Sequence, residues 1–311
     1  MANSILGNFA VSASGSGYHT VILKDYEDFV SLLGRSYFRE HPEYIFRGHR
    51  DPSWRLLPSL HRDFEKNKLE NDVLIEKMGD EKKRLAGLET ANLLKHFLFG
   101  LRGTEWQEPD HDKIINWFQN HPKGSVHIQD IYIDRLKDPT LWAAIINAWS
   151  LGQHHGLLTP LLDWTESLLT AFYFAFEKHD EREDGEESRA VFALNRRLIE
   201  DLAKKKGDEN LSLDVITPYV HKNPRLLAQH GLFTYSYKFE SIEEWVQREF
   251  KDKSAPVLIR FMITNVASQD AIRWLSRAGI SDRTVLPDLN GVCKFTNRTF
   301  NDAKLNYVTR K

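Results

Sequence analysis

The sequence predicts a mixed α+β fold, and this expectation rests on two observations. Short β-prone segments, such as Tyr44–Gly48 and Val257–Ile263, are interspersed with amphipathic helical segments, such as Ala267–Ala278. These segments do not alternate regularly, which favours an α+β fold over a doubly wound parallel sheet. The sequence contains no glycine-rich loop of the P-loop or dinucleotide-binding type.

The composition is that of a globular protein, with 311 residues of which 41% are hydrophobic and 28% charged. The net charge of −2 gives no bulk signal for nucleic-acid binding, but it is compatible with a local basic patch. The single cysteine, Cys293, excludes an internal disulfide and a cysteine-based zinc cluster, and it fits a cytoplasmic location. We expect neither a signal peptide nor a membrane span, because the first twenty residues lack a leader pattern and no run of about 18 apolar residues occurs.

The other elements follow from local signals along the chain. Residues 1–24 are expected to form an arm, either loose or a short edge strand. Residues 25–311 are expected to form one domain that contains a helical insertion at residues 63–139. The predicted helices are Asp25–Leu33, one or two within Asp63–Phe99, Thr140–Leu151, Thr165–Glu177, Asn223–Gln229, the helix that a capping box opens at Ser241 and that ends at Phe250, and Ala267–Ala278. The predicted strands are Tyr44–Gly48, Ala190–Leu194, Leu232–Phe239, Val257–Ile263 and Val292–Phe295. Gly152–Asp163 is predicted to be a loop or a short extended segment, and His179–Ser188 a charged surface loop.

An arginine stands at the end of the first strong strand, in Phe46-Arg47-Gly48. Burying an arginine is costly without a partner, and its planar guanidinium suits a phosphate or a carboxylate. Gly48 allows a tight turn or the close approach of a ligand. The alternative is a structural role, in which Arg47 pairs with a core carboxylate or with carbonyl groups.

Polar side chains crowd the segment from Gln153 to Thr165, which lies between two apolar helices. Asp163 and Glu166 have the spacing of a helix N-cap. Asp163 therefore either caps the following helix only, or also lines a site, because helix N-termini bind anions. His154 and His155 are adjacent, but no other ligand type follows at a suitable spacing, so no metal is expected.

Two later segments carry further polar residues. Arg225 and Gln229 are four residues apart on one face of a predicted helical turn, where they line a site or fix the turn by hydrogen bonds. Asp288 lies in Pro287–Gly291, which we interpret first as a turn and otherwise as the source of a catalytic acid. Cys293 lies in an apolar context and is expected in the core rather than as a nucleophile.

Taken in order, these segments resemble the FRG-domain family of bacterial proteins, named after the Phe-Arg-Gly that stands here at Phe46–Gly48. At Pro160 the chain departs from the family pattern, which usually has Arg there, so no phosphate contact is expected from that position. The other matching residues are Trp54, Leu57-Pro58, Arg62, Gln153–Gly156, Leu161–Thr165, Ala171–Ala175, Arg225, Gln229, Gly231, Phe233 and Pro287–Gly291.

The resemblance implies an ADP-ribosyltransferase-like split β-sheet core with a helical insertion, and NAD as a consumed substrate without a metal. By this analogy Arg47 holds the NAD phosphates or ribose, while Thr165 lines the nicotinamide pocket together with Asp163 and Trp164. Gln229 stands where a catalytic Glu is expected, but Gln is no general base at neutral pH, so Asp163 or Asp288 must supply any required carboxylate. The implied catalytic residues are Arg47, Asp163, Thr165 and Gln229. The implied NAD contacts are Arg47, Gly48, His155, Trp164, Thr165 and Arg225.

The resemblance further implies a toxin of bacterial anti-phage defence or of a toxin–antitoxin system. Its acceptor is expected to be a macromolecule, RNA ahead of DNA or protein, and such a toxin would need an antitoxin protein as partner. Three alternatives stay open on the sequence: an NAD glycohydrolase, a nucleotide-sensing module without catalysis, and a purely structural polar core.

Overall fold

The computed structural model describes most of the chain. Part of the predicted charged loop, residues 179–187, lies outside the described residues. The described residues are 10–13, 17–24, 26–34, 37–70, 79–105, 110–121, 132, 134–177, 188–207, 211–218, 223–251, 256–264 and 268–308.

The described chain forms a mixed α+β structure, as the sequence predicts. The strands are β1 Ala10–Ala13, β2 Tyr18–Leu23, β3 Tyr44–His49, β4 Leu161–Thr165, β5 Ser188–Asn195, β6 Leu213–Ile216, β7 Gly231–Ser236 and β8 Leu258–Thr264. The helices are α1 Tyr26–Gly34, α2 Tyr37–Glu40, α3 Ser59–Glu70, α4 Gly79–Gly100, α5 His111–Asn120, α6 Pro139–His154, α7 Leu168–Phe176, α8 Arg196–Lys206, α9 Pro224–Ala228, α10 Ile242–Glu249, α11 Ser268–Arg277, α12 Asp282–Val285 and α13 Leu289–Val308.

The described strands form one sheet in the order β1-β2-β8-β5-β3-β4-β7-β6. Neighbouring strands are antiparallel except β2 and β8, which are parallel. Of the two forms left open for the N-terminal residues, the described part therefore takes the strand form.

The sheet parts between its two halves, at β3 and β4. These strands share one registered pair, Phe46 with Thr165, whereas β3 pairs with β5 over the six positions from Tyr44 to His49. Beyond Phe46 the two strands are no longer paired, so side chains from β3 and β4 can enter the gap between them.

Helices cover both faces of the sheet. Alternate residues of a strand point to opposite faces, and β3 accordingly contributes Phe46 to a cluster with α1, α7 and α11, and Ile45 to a cluster with α8 and α10. A third cluster joins α4, α5 and α6 to Leu161 of β4 and Tyr235 of β7. The described helices of the predicted insertion thus pack on the smaller half of the sheet.

Helix α7 lies very close to β3, and Gly48 permits this approach. A Cβ atom at Gly48 would lie 1.9 Å from the Ala171 carbonyl oxygen and 2.7 Å from the Ala175 nitrogen. Both distances are well below van der Waals contact, so only glycine fits here. The glycine of the Phe-Arg-Gly motif is therefore required by helix packing, a reason that differs from the tight turn or ligand approach expected from the sequence.

Predictions at α13 and α7 are wrong, and Cys293, which was expected in the core, is exposed on α13. Val292–Phe295 belongs to α13 and not to a strand, and Asn290-Gly291 lies in the first turn of the same helix. The helix predicted from Thr165 begins at Leu168 with Ser167 as its N-cap, whose side chain accepts a hydrogen bond from the Thr170 nitrogen. Within the described part of the chain, no helix is both long and apolar enough to cross a membrane.

Candidate functional site

A cavity of about 470 Å³ opens where β3 and β4 part. Its wall combines residues of β3 and β4 with residues of α6, α7 and α9. The charged, polar and aromatic residues of the wall include Arg47, His49, Arg50, Trp54, Arg62, Gln153, His154, Asp163, Trp164, Thr165, Glu177, Arg225 and Gln229.

Arg47 is held at two points of its guanidinium group. Its Nη1 donates to the Asp163 carbonyl oxygen at 2.6 Å and lies 3.6 Å from the Asp163 carboxylate, while its Nε donates to His49 Nε2 at 2.8 Å. Its side chain is 18% exposed. The Nη2 group makes neither of these bonds, so a fixed cationic edge is left for an anion that enters the cavity.

The bond from Arg47 fixes the tautomer of His49. His49 Nε2 accepts from Arg47, so the ring proton is on Nδ1, which donates to the Trp54 carbonyl oxygen at 3.2 Å. Burial, reinforced by the charge of Arg47, lowers the pKa of His49 to about 3. The imidazole is therefore neutral at physiological pH, as its acceptor role requires.

The cavity wall is rich in cations despite the slightly negative net charge of the chain. Arg50, Arg62 and Arg225 line it together with Arg47. Arg62 donates from Nη1 to the Leu57 carbonyl oxygen at 2.8 Å. Burial lowers the pKa values of Arg47 and Arg62, which reflects the cost of holding two guanidinium groups in a partly closed space. Such a wall favours an anionic ligand.

Asp163 lies in the middle of β4, and Gln153 orients its carboxylate. Gln153 Nε2 donates to Asp163 Oδ1 at 2.6 Å, and Gln153 Oε1 accepts a short hydrogen bond from the Thr159 hydroxyl. The Asp163 side chain is 61% exposed. Since Ser167 caps α7, the alternative in which Asp163 serves only as an N-cap is wrong.

Thr165, Trp164 and Gln229 also reach the cavity wall, but much of their hydrogen-bonding capacity is used structurally. The Thr165 hydroxyl donates to the Gln229 carbonyl oxygen at 2.6 Å, and Trp164 Nε1 donates to the Thr234 hydroxyl at 2.9 Å. Gln229 Nε2 donates to the Val285 carbonyl oxygen at 3.1 Å. These bonds join β4 to β7 and to the turn after α9, and they join that turn to Val285 of α12, so they fix the shape of the wall.

The structure selects His154 over the predicted His155. His154 is the last residue of α6 and lines the cavity, whereas His155 is exposed, follows the helix as its C-cap and does not line the cavity. Burial, with a smaller effect from the charge of Arg225, lowers the pKa of His154. Helix α6 runs three residues beyond its predicted end at Leu151, and this extension places His154, and not His155, at the cavity.

Asp288 is a partner of Arg225 and not an acid of the cavity. Its carboxylate accepts a short hydrogen bond from Arg225 Nε, and Oδ1 accepts from the Gly291 nitrogen at 3.0 Å. The bond from Arg225 lowers the pKa of Asp288, which keeps this carboxylate ionised. Asp288 does not line the cavity and is paired with Arg225, which favours a structural role over that of a catalytic acid.

Several wall residues were not assigned to the site from the sequence, among them Glu177, Gln153 and His49. Glu177 is the C-cap of α7 and adds a second carboxylate to the wall. Its place depends on how α7 packs against β3, which no local pattern reveals. Gln153 and His49 could have been found, because one stands in a polar segment and the other is two residues from Arg47 on the same strand. Among the described residues, no three His, Cys, Asp or Glu side chains are grouped so that they could hold a metal ion.

In a comparison with protein families, residues 42–184 match the FRG domain. The chain contains an FRG domain at these residues. The match contains Arg47, His49 and Asp163, whereas Arg225 and Gln229 lie beyond its end. The family predicted from the motifs is thus confirmed, and the FRG domain supplies the greater part of the cavity wall. No curated protein and no solved structure matches the chain.

Proposed function

We propose that this FRG-domain protein is an NAD-consuming ADP-ribosyltransferase. The observation that carries the proposal is the fixed guanidinium of Arg47. It lies in the wall of the cavity where β3 and β4 part, and three further arginines line the same cavity. The diphosphate of NAD carries two negative charges, and a fixed arginine is well suited to a diphosphate. The parted sheet, with Thr165 on a strand that leads into the alanine-containing α7, supports an ADP-ribosyltransferase-like core.

The proposed reaction cleaves the bond between the nicotinamide nitrogen and C1′ of ribose. Nicotinamide leaves with the bonding electron pair, and a nucleophilic atom of the acceptor forms the new bond to C1′. The acceptor proton passes to the Asp163 carboxylate, which Gln153 orients. The transition state is a ribosyl cation, so carboxylate and amide groups near the ribose stabilise it electrostatically.

The acceptor in this proposal is a macromolecule, RNA ahead of DNA or protein. The four arginines of the cavity wall form a local basic patch, which the net charge of the whole chain hides. Phosphate groups of RNA are suitable ligands for such a patch. A toxin role in bacterial defence, a cytoplasmic location and an antitoxin partner belong to the same proposal.

The test combines NAD labelled in its ADP-ribose part with three acceptor pools: RNA, DNA and total protein. Wild type, Arg47→Ala and Asp163→Asn are compared with Arg197→Ala, which removes an exposed arginine of α8 outside the cavity. Circular dichroism controls for folding. We expect wild type and Arg197→Ala to transfer label to RNA, and Arg47→Ala to transfer none.

The other outcomes separate the competing functions. Nicotinamide release without a labelled acceptor would replace the transferase by an NAD glycohydrolase. Binding of intact NAD without turnover would replace it by a nucleotide-sensing module. Loss of folding in Arg47→Ala, with no NAD binding by wild type, would leave Arg47 a structural role only.

A further inference from the structure

An exposed tryptophan stands on the wall of the cavity. Trp54 is 44% exposed, whereas Phe46, Trp164 and Phe233, which also line the cavity, are buried. Of the described aromatic residues of this wall, Phe174 is half-buried, and Trp54 presents the largest exposed fraction. A large aromatic surface is thus left open to a ligand in the cavity.

Neighbouring groups hold Trp54 in place. Its carbonyl oxygen accepts from the buried His49, and the two rings meet edge to face with centroids 6.1 Å apart. The preceding turn is closed by Asp51, whose Oδ1 accepts from the nitrogen of Ser53 at 2.8 Å and from its hydroxyl at 2.6 Å. The backbone that carries the indole is therefore fixed, so little backbone conformational entropy is lost when a ligand binds.

The chemistry around the ring suits a flat nucleobase. The Arg50 guanidinium lies 5.4 Å from the indole centroid, as in a cation–π contact. Indole rings stack on nucleobases without requiring a particular base, because every base has a flat π face. A nearby cation adds affinity for the phosphates that accompany a base.

Trp54 and Arg47 are separated by one imidazole ring. His49 accepts from Arg47 Nε through Nε2 and donates to the Trp54 carbonyl oxygen through Nδ1. An anion on Arg47 and a flat ring on Trp54 would therefore be neighbours. In an adenine dinucleotide, one ribose connects the diphosphate to the base, and this arrangement fits that order of groups.

We propose that Trp54 is the stacking platform for the adenine ring of NAD, an inference that rests on the proposed function. The adenosine end then lies at Trp54 and Arg50, and the diphosphate lies on Arg47. The nicotinamide end lies toward Asp163 and Gln153. The proposal adds the adenine end of the cavity, which the resemblance to the family leaves unassigned, to the nicotinamide end that the resemblance implies.

Calorimetric binding of ADP and of inorganic pyrophosphate tests this assignment, because only ADP carries the base. Wild type is compared with Trp54→Ala, Trp54→Phe and Phe300→Ala, the last being an exposed aromatic residue of α13 outside the cavity. We expect Trp54→Ala to weaken ADP binding about 5- to 100-fold and to leave pyrophosphate binding unchanged. Trp54→Phe and Phe300→Ala should stay within about 3-fold of wild type, because a phenyl ring still stacks.

Two results would overturn the proposal. If Trp54→Ala binds ADP as tightly as wild type, or loses ADP and pyrophosphate equally, then Trp54 does not recognise the base. Arg47→Ala separates this failure from that of the proposed function. If Arg47→Ala weakens both ligands while Trp54→Ala weakens neither, the stacking platform is refuted and the phosphate site stands. If wild type binds neither ligand, both proposals fall.

Discussion

Replacing Gly48 by alanine places a methyl group against the backbone of α7. The new Cβ would lie 1.9 Å from the Ala171 carbonyl oxygen, whereas ordinary van der Waals contacts begin at 3.4 Å. Helix α7 would have to retreat by more than about 1 Å, because backbone atoms cannot rotate out of the way. Its buried residues Phe172 and Phe176 would then lose contact with the core that they share with Phe29.

We expect Gly48→Ala to lower the free energy of unfolding by about 3 kcal/mol or more, at or above the upper end of typical overpacking costs. The matched control is Gly100→Ala at the end of α4, where a Cβ meets nothing within 4 Å. Alanine is the better helix former, so this control should be stabilised by up to about 1 kcal/mol. Urea denaturation followed by circular dichroism measures both changes. A Gly48→Ala protein as stable as wild type would refute the close packing of α7 on β3.

Three further predictions concern the neighbours of the cavity. His61 is buried on the ring of Phe239, neither ring nitrogen has a described hydrogen-bond partner, and burial lowers its pKa to about 3. His61 stays neutral in the folded protein but takes up a proton below about pH 6.5 in the unfolded chain. The free energy of unfolding should therefore fall by about 2 kcal/mol between pH 7 and pH 5. Urea denaturation should show this loss for wild type and not for His61→Phe. Replacing His49 by Phe leaves Arg47 Nε without its acceptor and should lower the free energy of unfolding by about 1–3 kcal/mol, whereas an unchanged urea midpoint would contradict the bond. Asp288→Asn should keep NAD consumption within about 10-fold of wild type, because loss of a general acid costs about 10²- to 10⁴-fold, and a loss of that size would restore Asp288 as the acid.

The α+β class and the place of Arg47 could be predicted because each depends on local pattern. The alternation of apolar residues around Phe46 predicts a strand, and an arginine at its end predicts a buried guanidinium that needs a partner. The capping box at Ser241 likewise predicts the start of α10, and both of its hydrogen bonds are present. In these cases the signal lies within a few residues of the feature.

The errors occur where tertiary packing decides between two local signals. Val292, Cys293 and Phe295 are β-prone, and Asn290-Gly291 is typical of a turn, yet all lie in α13. A Cβ at Gly291 would lie 1.8 Å from the Leu286 carbonyl oxygen, so this glycine serves the close packing of α13 against the preceding segment and not a turn. Propensity is a weak prior that such packing overrides.

The site shows the same limit. The sequence indicates which polar segments meet, but the identity of the wall residues depends on helix phase. Three additional residues in α6 bring His154 to the cavity and leave His155 exposed. Glu177 enters the wall only because α7 packs closely over Gly48. The partner of Arg47, the carbonyl group of Asp163, follows from the parting of two strands that are more than a hundred residues apart in sequence.

In the proposed function, Arg47 holds NAD for cleavage of its nicotinamide–ribose bond. The most direct measurement is chromatographic detection of nicotinamide released from NAD by wild type, Arg47→Ala and Arg197→Ala, each shown to be folded by circular dichroism. We expect release by wild type and Arg197→Ala, and a loss of at least about 100-fold in Arg47→Ala, because the substrate loses its main electrostatic contact. Equal nicotinamide release by wild type and folded Arg47→Ala would contradict the proposed role of Arg47. No nicotinamide release by wild type with any acceptor would contradict the proposed enzymatic activity.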